Sequence, residues 1–257
     1  MRAKSGLLAA ACLLVAARFA SGQGLTVAAA SDLQSALPAI ASQFEKETGQ
    51  RVRLTFGSSG NFFAQIQNGA PFDVFLSADI DYPRRLEASN LAERGSLYEY
   101  ATGRLVLWTR KDSGIDLGQS LAVLAEPRVR RIAIANPEHA PYGKAAVEAL
   151  RHEGLYDRVR EKFVLGENIS QAAQFADSGG ADVGLLALSL ALAPSLKSSG
   201  TYADVPQSWH PPIEQGAVIL ASSRQKVLAR QFLDHLKQTD AAKILQSYGF
   251  GAPRTIH

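Results

Sequence analysis

Short runs rich in Ala, Val, Leu and Ile alternate with amphipathic helical patterns along this 257-residue chain, and that alternation confines it to an α/β architecture. The β-like runs are Leu25 to Ala30, Val52 to Phe56, Val74 to Ser77, Leu105 to Thr109, Arg131 to Ala135, Phe163 to Leu165, Val183 to Ala187 and Ala217 to Ala221. Their separation by helical segments predicts mostly parallel sheets. No internal repeat or low-complexity tract interrupts the pattern.

Four helical segments follow strands directly. After Ser31, apolar residues at Leu33, Leu37, Ile40 and Phe44 keep a helical spacing up to the Thr48-Gly49 stop. Pro38 removes a backbone donor there, so the regular ladder is expected to begin near Ser35, after a preliminary turn from Ser31 to Gln34. A second helix is expected over Phe62 to Gln67, before the breaker Asn68-Gly69-Ala70-Pro71. A third follows the loop Asn136 to Gly143 and runs through Ala145, Val147, Ala149 and Leu150 to Gly154. A fourth begins near Asn168-Ile169-Ser170.

Two of these junctions share one design. Leu25-Thr26-Val27-Ala28-Ala29-Ala30-Ser31 and Val52-Arg53-Leu54-Thr55-Phe56-Gly57-Ser58-Ser59 each run strand, then serine, then helix. Such a turn leaves backbone N–H groups and a hydroxyl facing one space, an arrangement suited to an anion. In open α/β sheets ligands bind beyond the carboxyl ends of the strands. Two junctions in the first third and two in the middle predict a cleft between two lobes.

The first residues read as an export signal. Arg2 and Lys4 precede an apolar stretch from Gly6 to Ala17, and Ala20-Ser21-Gly22 offer a cleavage site before Gln23. That stretch falls short of the ~20 residues a membrane span requires. Cys12, the only cysteine, is a core residue of that signal, so the mature chain is expected to use no disulfide, thiolate nucleophile or thiolate metal site. Removing Arg2, Lys4 and Arg18 with the signal leaves 24 basic and 24 acidic residues. The basic residues are scattered, which excludes a nucleic-acid footprint.

Other classes are poorly supported. A secreted serine hydrolase would use Ser58 or Ser59 with a base such as His139, but Gly57-Ser58-Ser59-Gly60-Asn61 lacks the glycine spacing of a nucleophile elbow. A regulator's effector domain would need a DNA-binding segment where the export signal stands. Taken singly, Ser31 and Ser59 could be helix caps, Tyr142 a packing aromatic, and Trp108 and Trp209 core or hinge residues. Asp32 reads as a turn or cap residue, because a carboxylate would repel an anion.

The stretches Ala28-Ala29-Ala30-Ser31, Phe56-Gly57-Ser58-Ser59, Phe72 to Asp79, Asn136 to Gly143, Gly166-Glu167-Asn168-Ile169 and Tyr248-Gly249-Phe250 together resemble the periplasmic molybdate-binding proteins of ABC transporters. The resemblance implies an α/β, two-lobe type II periplasmic binding protein fold, with crossover strands and a ligand cleft between the lobes. It implies a signal at 1–22, lobe one at 23–102 and 213–257, and lobe two at 103–212, with hinges near Ala101 to Arg104 and Pro212 to Gly216. Helices Gln225 to Leu236 and Ala241 to Tyr248 would complete lobe one.

By the same resemblance the ligand contacts fall on Ser31, Ser59, Tyr142 and Ile169, with no cofactor and no direct protein bond to the metal. Many members carry a ligand-binding tyrosine where this chain has Ala187, so Tyr142 would replace that hydroxyl. The implied protein is a periplasmic monomer that delivers molybdate, or tungstate, to an inner-membrane permease. The alternatives are a binding protein for another oxyanion such as sulfate, and the serine hydrolase.

A fully ionised dianion presents only acceptors and suits a dry cavity made only of donors. Hydrogen bonds to a charged group contribute roughly 1.5–3 kcal/mol each, so several neutral donors suffice without a lysine or arginine. Phosphate keeps a proton that would find no acceptor, at a cost of about 1–3 kcal/mol. Sulfate has no such proton, so only cavity size can exclude it. Tungstate and molybdate need the same donors.

Overall fold

The computed structural model describes residues 24–118 and 120–254; the expected signal at 1–22, with Cys12, lies outside them. Ten strands form two five-stranded sheets. They are β1 (Leu25–Ala30), β2 (Val52–Gly57), β3 (Val74–Ser77), β4 (Tyr98–Gly103), β5 (Leu105–Arg110), β6 (Ile132–Ala135), β7 (Phe163–Gly166), β8 (Val183–Ala187), β9 (Gly200–Asp204) and β10 (Ile213–Ile219). The first sheet has the order β2-β1-β3-β10-β4 and the second β7-β6-β8-β5-β9.

The helices are α1 (Leu37–Thr48), α2 (Ser59–Gln67), α3 (Asp81–Ala88), α4 (Pro141–His152), α5 (Tyr156–Val159), α6 (Ile169–Asp177), α7 (Leu188–Ala191), α8 (Pro194–Ser199), α9 (Lys226–Leu236) and α10 (Thr239–Ser247). No helix among the described residues is long and apolar enough to cross a membrane.

The expectation of mostly parallel sheets is corrected. β1 runs parallel to β2 and β3, and β6 parallel to β7 and β8, but β10 is antiparallel to β3 and β4, and β5 to β8 and β9. The antiparallel strands are those through which the chain passes between lobes: β4 into β5 through Arg104, and β9 back into β10. A chain that leaves one sheet and returns enters it against the grain of the βαβ units already built. Strands β4 and β9 were not anticipated. Tyr98-Glu99-Tyr100-Ala101-Thr102-Gly103 mixes polar residues, Glu99 and Thr102, with aromatic and small ones, and β9 is an exposed edge.

Local sequence sets where the first helix begins. Ser31–Leu33 forms a single 3-10 turn, and α1 starts only at Leu37, two residues later than anticipated. Pro38 then occupies the first turn, where its missing N–H costs nothing.

Each lobe is a sheet between helix layers. Leu33, Leu37, Ile40 and Phe44 pack with Phe232, Leu233, Leu236 and Leu245 on one face of the first sheet. Phe62, Phe63, Ile66 and Leu86 cover Phe75 and Val218 on the other. The second lobe's core, from Val106 and Trp108 to Leu185 and Leu186, extends to Ala30 and Ala78 of the first. Apolar packing is therefore continuous across the cleft.

Helix α4 meets β6 through Gly143. An ideal Cβ there would overlap the Ala135 carbonyl oxygen and approach Pro137 N at 2.9 Å, both backbone atoms that cannot swing aside. Gly143→Ala is expected to lower unfolding stability by about 1–3 kcal/mol, as overpacking does; urea denaturation of the two proteins checks this.

Candidate functional site

Two pairs of level strand ends create the site. Ala30 pairs with Gly57 at the ends of β1 and β2, so Ser31 and Ser58 leave the first sheet side by side. Ala135 pairs with Gly166 at the ends of β6 and β7, and the chain from these enters α4 and α6. The four ends converge on one small cavity of about 10 Å³ whose walls include Ser31, Asp32, Ser58 and Ser59 from one lobe, and Pro141, Tyr142, Asn168 and Ile169 from the other. The structure thus brings Ser31, Ser59, Tyr142 and Ile169 together. Ala187 is buried elsewhere and does not line the cavity.

Neither serine is a helix cap. Ala30 precedes the Ser31 turn, and the residue before α2 is Ser58, whose side chain makes no capping bond. Ser59 Oγ instead accepts from the Ala78 N–H at 3.0 Å, and Ser31 Oγ from the Ser170 N–H at 3.4 Å. Each hydroxyl keeps its own proton to donate. The backbone N–H groups of Ser59, Tyr142 and Ile169, all in first helical turns, have no acceptor among the described residues. Asn168 caps α6 by accepting from the Gln171 N–H at 3.1 Å, which leaves Ile169 free to face the cavity. No lysine or arginine lines the space. The donors are therefore neutral, fixed by the fold, and aimed from both sides.

Tyr142 departs from expectation. Its hydroxyl donates to Asp32 Oδ2 at 3.0 Å, so its free donor toward the cavity is its backbone N–H. Asp32, anticipated as a turn or cap residue, is fully buried, and Gln215 Nε2 also donates to its Oδ2 at 2.6 Å. Tyr100 donates to Gln215 Oε1 at 2.8 Å. Burial pushes the Asp32 carboxyl from 3.8 up to about 6, against the hydrogen bonds from Gln215 and Tyr142 that lower it. Burial, then the Asp32 charge, holds both tyrosine hydroxyls well above their usual value. Sequence reasoning missed Gln215. Its signal was a polar residue within the largely apolar run that forms β10, Ile213–Ile219.

Further bonds close the cleft. Ser58 Oγ donates to the His139 carbonyl at 2.6 Å, and the Gly60 N–H to the same oxygen at 2.9 Å. Ser170 Oγ donates to Gln34 Oε1 at 2.7 Å, and Asn61 bonds Glu167. His139 Nδ1 lies 2.9 Å from Ser58 Oγ, a serine–histidine contact with the wrong polarity for a nucleophile, because the hydroxyl proton already goes to the carbonyl. The pair joins lobes.

The bacterial extracellular solute-binding protein family matches residues 25–251, and the chain belongs to that family. It is a family of non-enzymatic binding proteins that work outside the cytoplasm. The chain is 41% identical over 244 residues, 95% of each protein, to the molybdate-binding protein ModA of Azotobacter vinelandii. It is 33% identical over 234 residues, 88% of each, to the protein of that name from Escherichia coli K12. The structure of the Azotobacter vinelandii periplasmic molybdate-binding protein is similar with a TM-score of 0.84 and 39% identity, over 90% of this chain and 100% of that one. The sulfate-binding protein SubI of Mycobacterium tuberculosis, 16% identical with a TM-score of 0.73, shares the fold.

The Asp32 shift has a definite sign. A carboxyl that holds its proton more tightly in the fold favours folding below about pH 4, and that contribution is lost as pH rises through about 6. At neutral pH the ionised group costs up to about 3 kcal/mol. Asp32→Asn is expected to be the more stable protein at pH 7.5 and to lose the advantage by pH 4.5; chemical denaturation at both pH values checks this.

Proposed function

We propose that this protein captures molybdate, and equally tungstate, in the periplasm and delivers it as a monomer to an inner-membrane ABC permease. The observation that carries the reading is the cavity itself. It lies between the two lobes, has no lysine or arginine in its walls, and is faced, beside the Asp32 carboxyl, by hydroxyl and N–H donors that have no acceptor among the described residues. Such a site suits an anion that presents only acceptors. Extensive identity with proteins described as molybdate-binding supports the choice of anion.

Ser31 and Ser59 donate through their hydroxyls, and Ser59, Tyr142 and Ile169 through backbone N–H groups. Residues 1–22 form a cleaved export signal. Lobe one comprises 23–102 and 213–257 and lobe two 103–212, a division that the two sheets support. The lobes close about the segments Ala101 to Arg104 and Pro212 to Gly216.

Calorimetric titration of the mature protein tests the reading. Molybdate and tungstate are expected to bind, while phosphate is not; phosphate binding as tight as molybdate overturns a site selective for fully ionised anions. At ~1,000 times its dissociation constant a ligand adds ~4 kcal/mol to stability, so molybdate also raises Tm. Ser59→Ala is expected to weaken molybdate binding about ten- to a hundredfold, since it removes a charge-assisted bond of roughly 1.5–3 kcal/mol. Unchanged calorimetric affinity removes Ser59 from the contact set.

A further inference from the structure

The least economical group in the molecule is the Asp32 carboxylate. It is fully buried, forms no ion pair among the described residues, and its Oδ1 makes no hydrogen bond of good geometry, the carboxyl being met otherwise only by the backbone N–H groups of Asp32 itself and Leu33. It stands beside Ser31 in the wall of a cavity built for anions. An unpaired carboxylate there weakens anion binding by repulsion and costs desolvation. Its contacts account for it.

Asp32 Oδ2 accepts from Tyr142 of the second lobe and from Gln215 on β10, and Gln215 Nε2 also lies 3.3 Å from the Tyr142 hydroxyl. Tyr100 on β4 bonds both Gln215 Oε1 and, at 3.2 Å, the Ser77 carbonyl. From α7, Ser189 Oγ donates to the Asp32 carbonyl at 2.8 Å. β4 and β10 are the first-sheet strands nearest the crossovers. One buried cluster therefore ties the second lobe to both hinge strands. Gly103, the last residue of β4, leaves the space that the Tyr142 hydroxyl fills: an ideal Cβ there would overlap that oxygen and lie 2.9 Å from Gln215 Nε2.

Building on the proposed function, we infer that Asp32 is a positioning residue: with Gln215 and the Gly103 socket it latches the Tyr142 hydroxyl when the lobes close, and so aims the Tyr142 backbone N–H at the bound oxyanion. The tyrosine side chain then touches no ligand atom, and its hydroxyl sets how long the closed state lasts.

The test uses the mature chain with Gln67→Cys and Glu161→Cys, exposed positions on opposite lobes, labelled for single-molecule energy transfer; the sequence has no cysteine after Cys12. Molybdate release is timed in the same proteins. Tyr142→Phe, which keeps the ring and the N–H, is expected to speed release about tenfold or more, the equivalent of one charge-assisted bond. It also shifts the ligand-free lobes to longer separations. In an Asp32→Ala background the same change adds no more than about twofold, because coupled partners are not additive. Gly103→Ala also speeds release, and adding Tyr142→Phe to it restores part of the loss by vacating the socket.

An undiminished effect of Tyr142→Phe in the Asp32→Ala background makes the hydroxyl a direct ligand donor and overturns the latch. Gly103→Ala that releases molybdate like the parent protein overturns it as well. If the parent protein shows no closure with molybdate, the proposed ligand fails. The latch is then decided by the ligand-free distances: a shift in Tyr142→Phe and Asp32→Ala supports it, and identical distributions overturn it.

Discussion

Three backbone N–H groups, those of Ser59, Tyr142 and Ile169, lie at helix starts around one cavity with no acceptor among the described residues, and the two-lobed arrangement is organised around that deficit. An unmet buried donor costs about 1–3 kcal/mol, so such groups are tolerable together only where an anion or water completes them. Neutral donors gain strength as water is excluded, because the effective dielectric falls. Exclusion requires both lobes. Each contributes the ends of two neighbouring parallel strands, and register makes those ends level, Ala30 with Gly57 and Ala135 with Gly166.

Beside the apolar packing that reaches Ala30 and Ala78, the lobes meet through polar contacts, which suits a cleft that must open again. Ser58 and Gly60 share the His139 carbonyl, Ser170 reaches Ser31 and Gln34, and Ser189 reaches Asp32. Each such bond, when broken, can be replaced by water at small net cost, about 0.5–1.5 kcal/mol. Closure is thus the sum of several modest terms, and a ligand with differential affinity for the closed arrangement shifts it. Asp32 differs from the rest. Its charge opposes an anion while its oxygen organises Tyr142 and Gln215, so the same side chain weakens the site electrostatically and steadies it geometrically.

Much of the architecture was legible in the chain because it depends on local pattern. Strands Leu25–Ala30, Val74–Ser77 and Val183–Ala187 are continuous apolar runs between breakers, and they fall where that pattern places them. The helix start at Ile169 follows from the polar residues at the strand end, whereas α2 begins at Ser59, three residues before the expected Phe62. The antiparallel strands were harder to read. β4 and β9 carry polar or exposed residues, and their pairing depends on where a distant part of the chain returns.

The sequence by itself determined the α/β class, the strand-to-helix junctions that carry Ser31, Ser59, Tyr142 and Ile169, and the absence of thiol chemistry downstream of Cys12. These are properties of short windows, in which periodicity and turn chemistry act over a few residues. Only the tertiary structure decided what the side chains do there. Tyr142 meets Asp32 across 110 positions and Gln215 meets Asp32 across 183, so whether the tyrosine hydroxyl faces the ligand or a buried carboxylate has no local signature. The same holds for Gly103, an unremarkable glycine in the chain whose missing side chain makes room for the Tyr142 hydroxyl from α4. Hydrogen-bond partners over such separations are chosen by packing and burial, which a linear pattern does not contain.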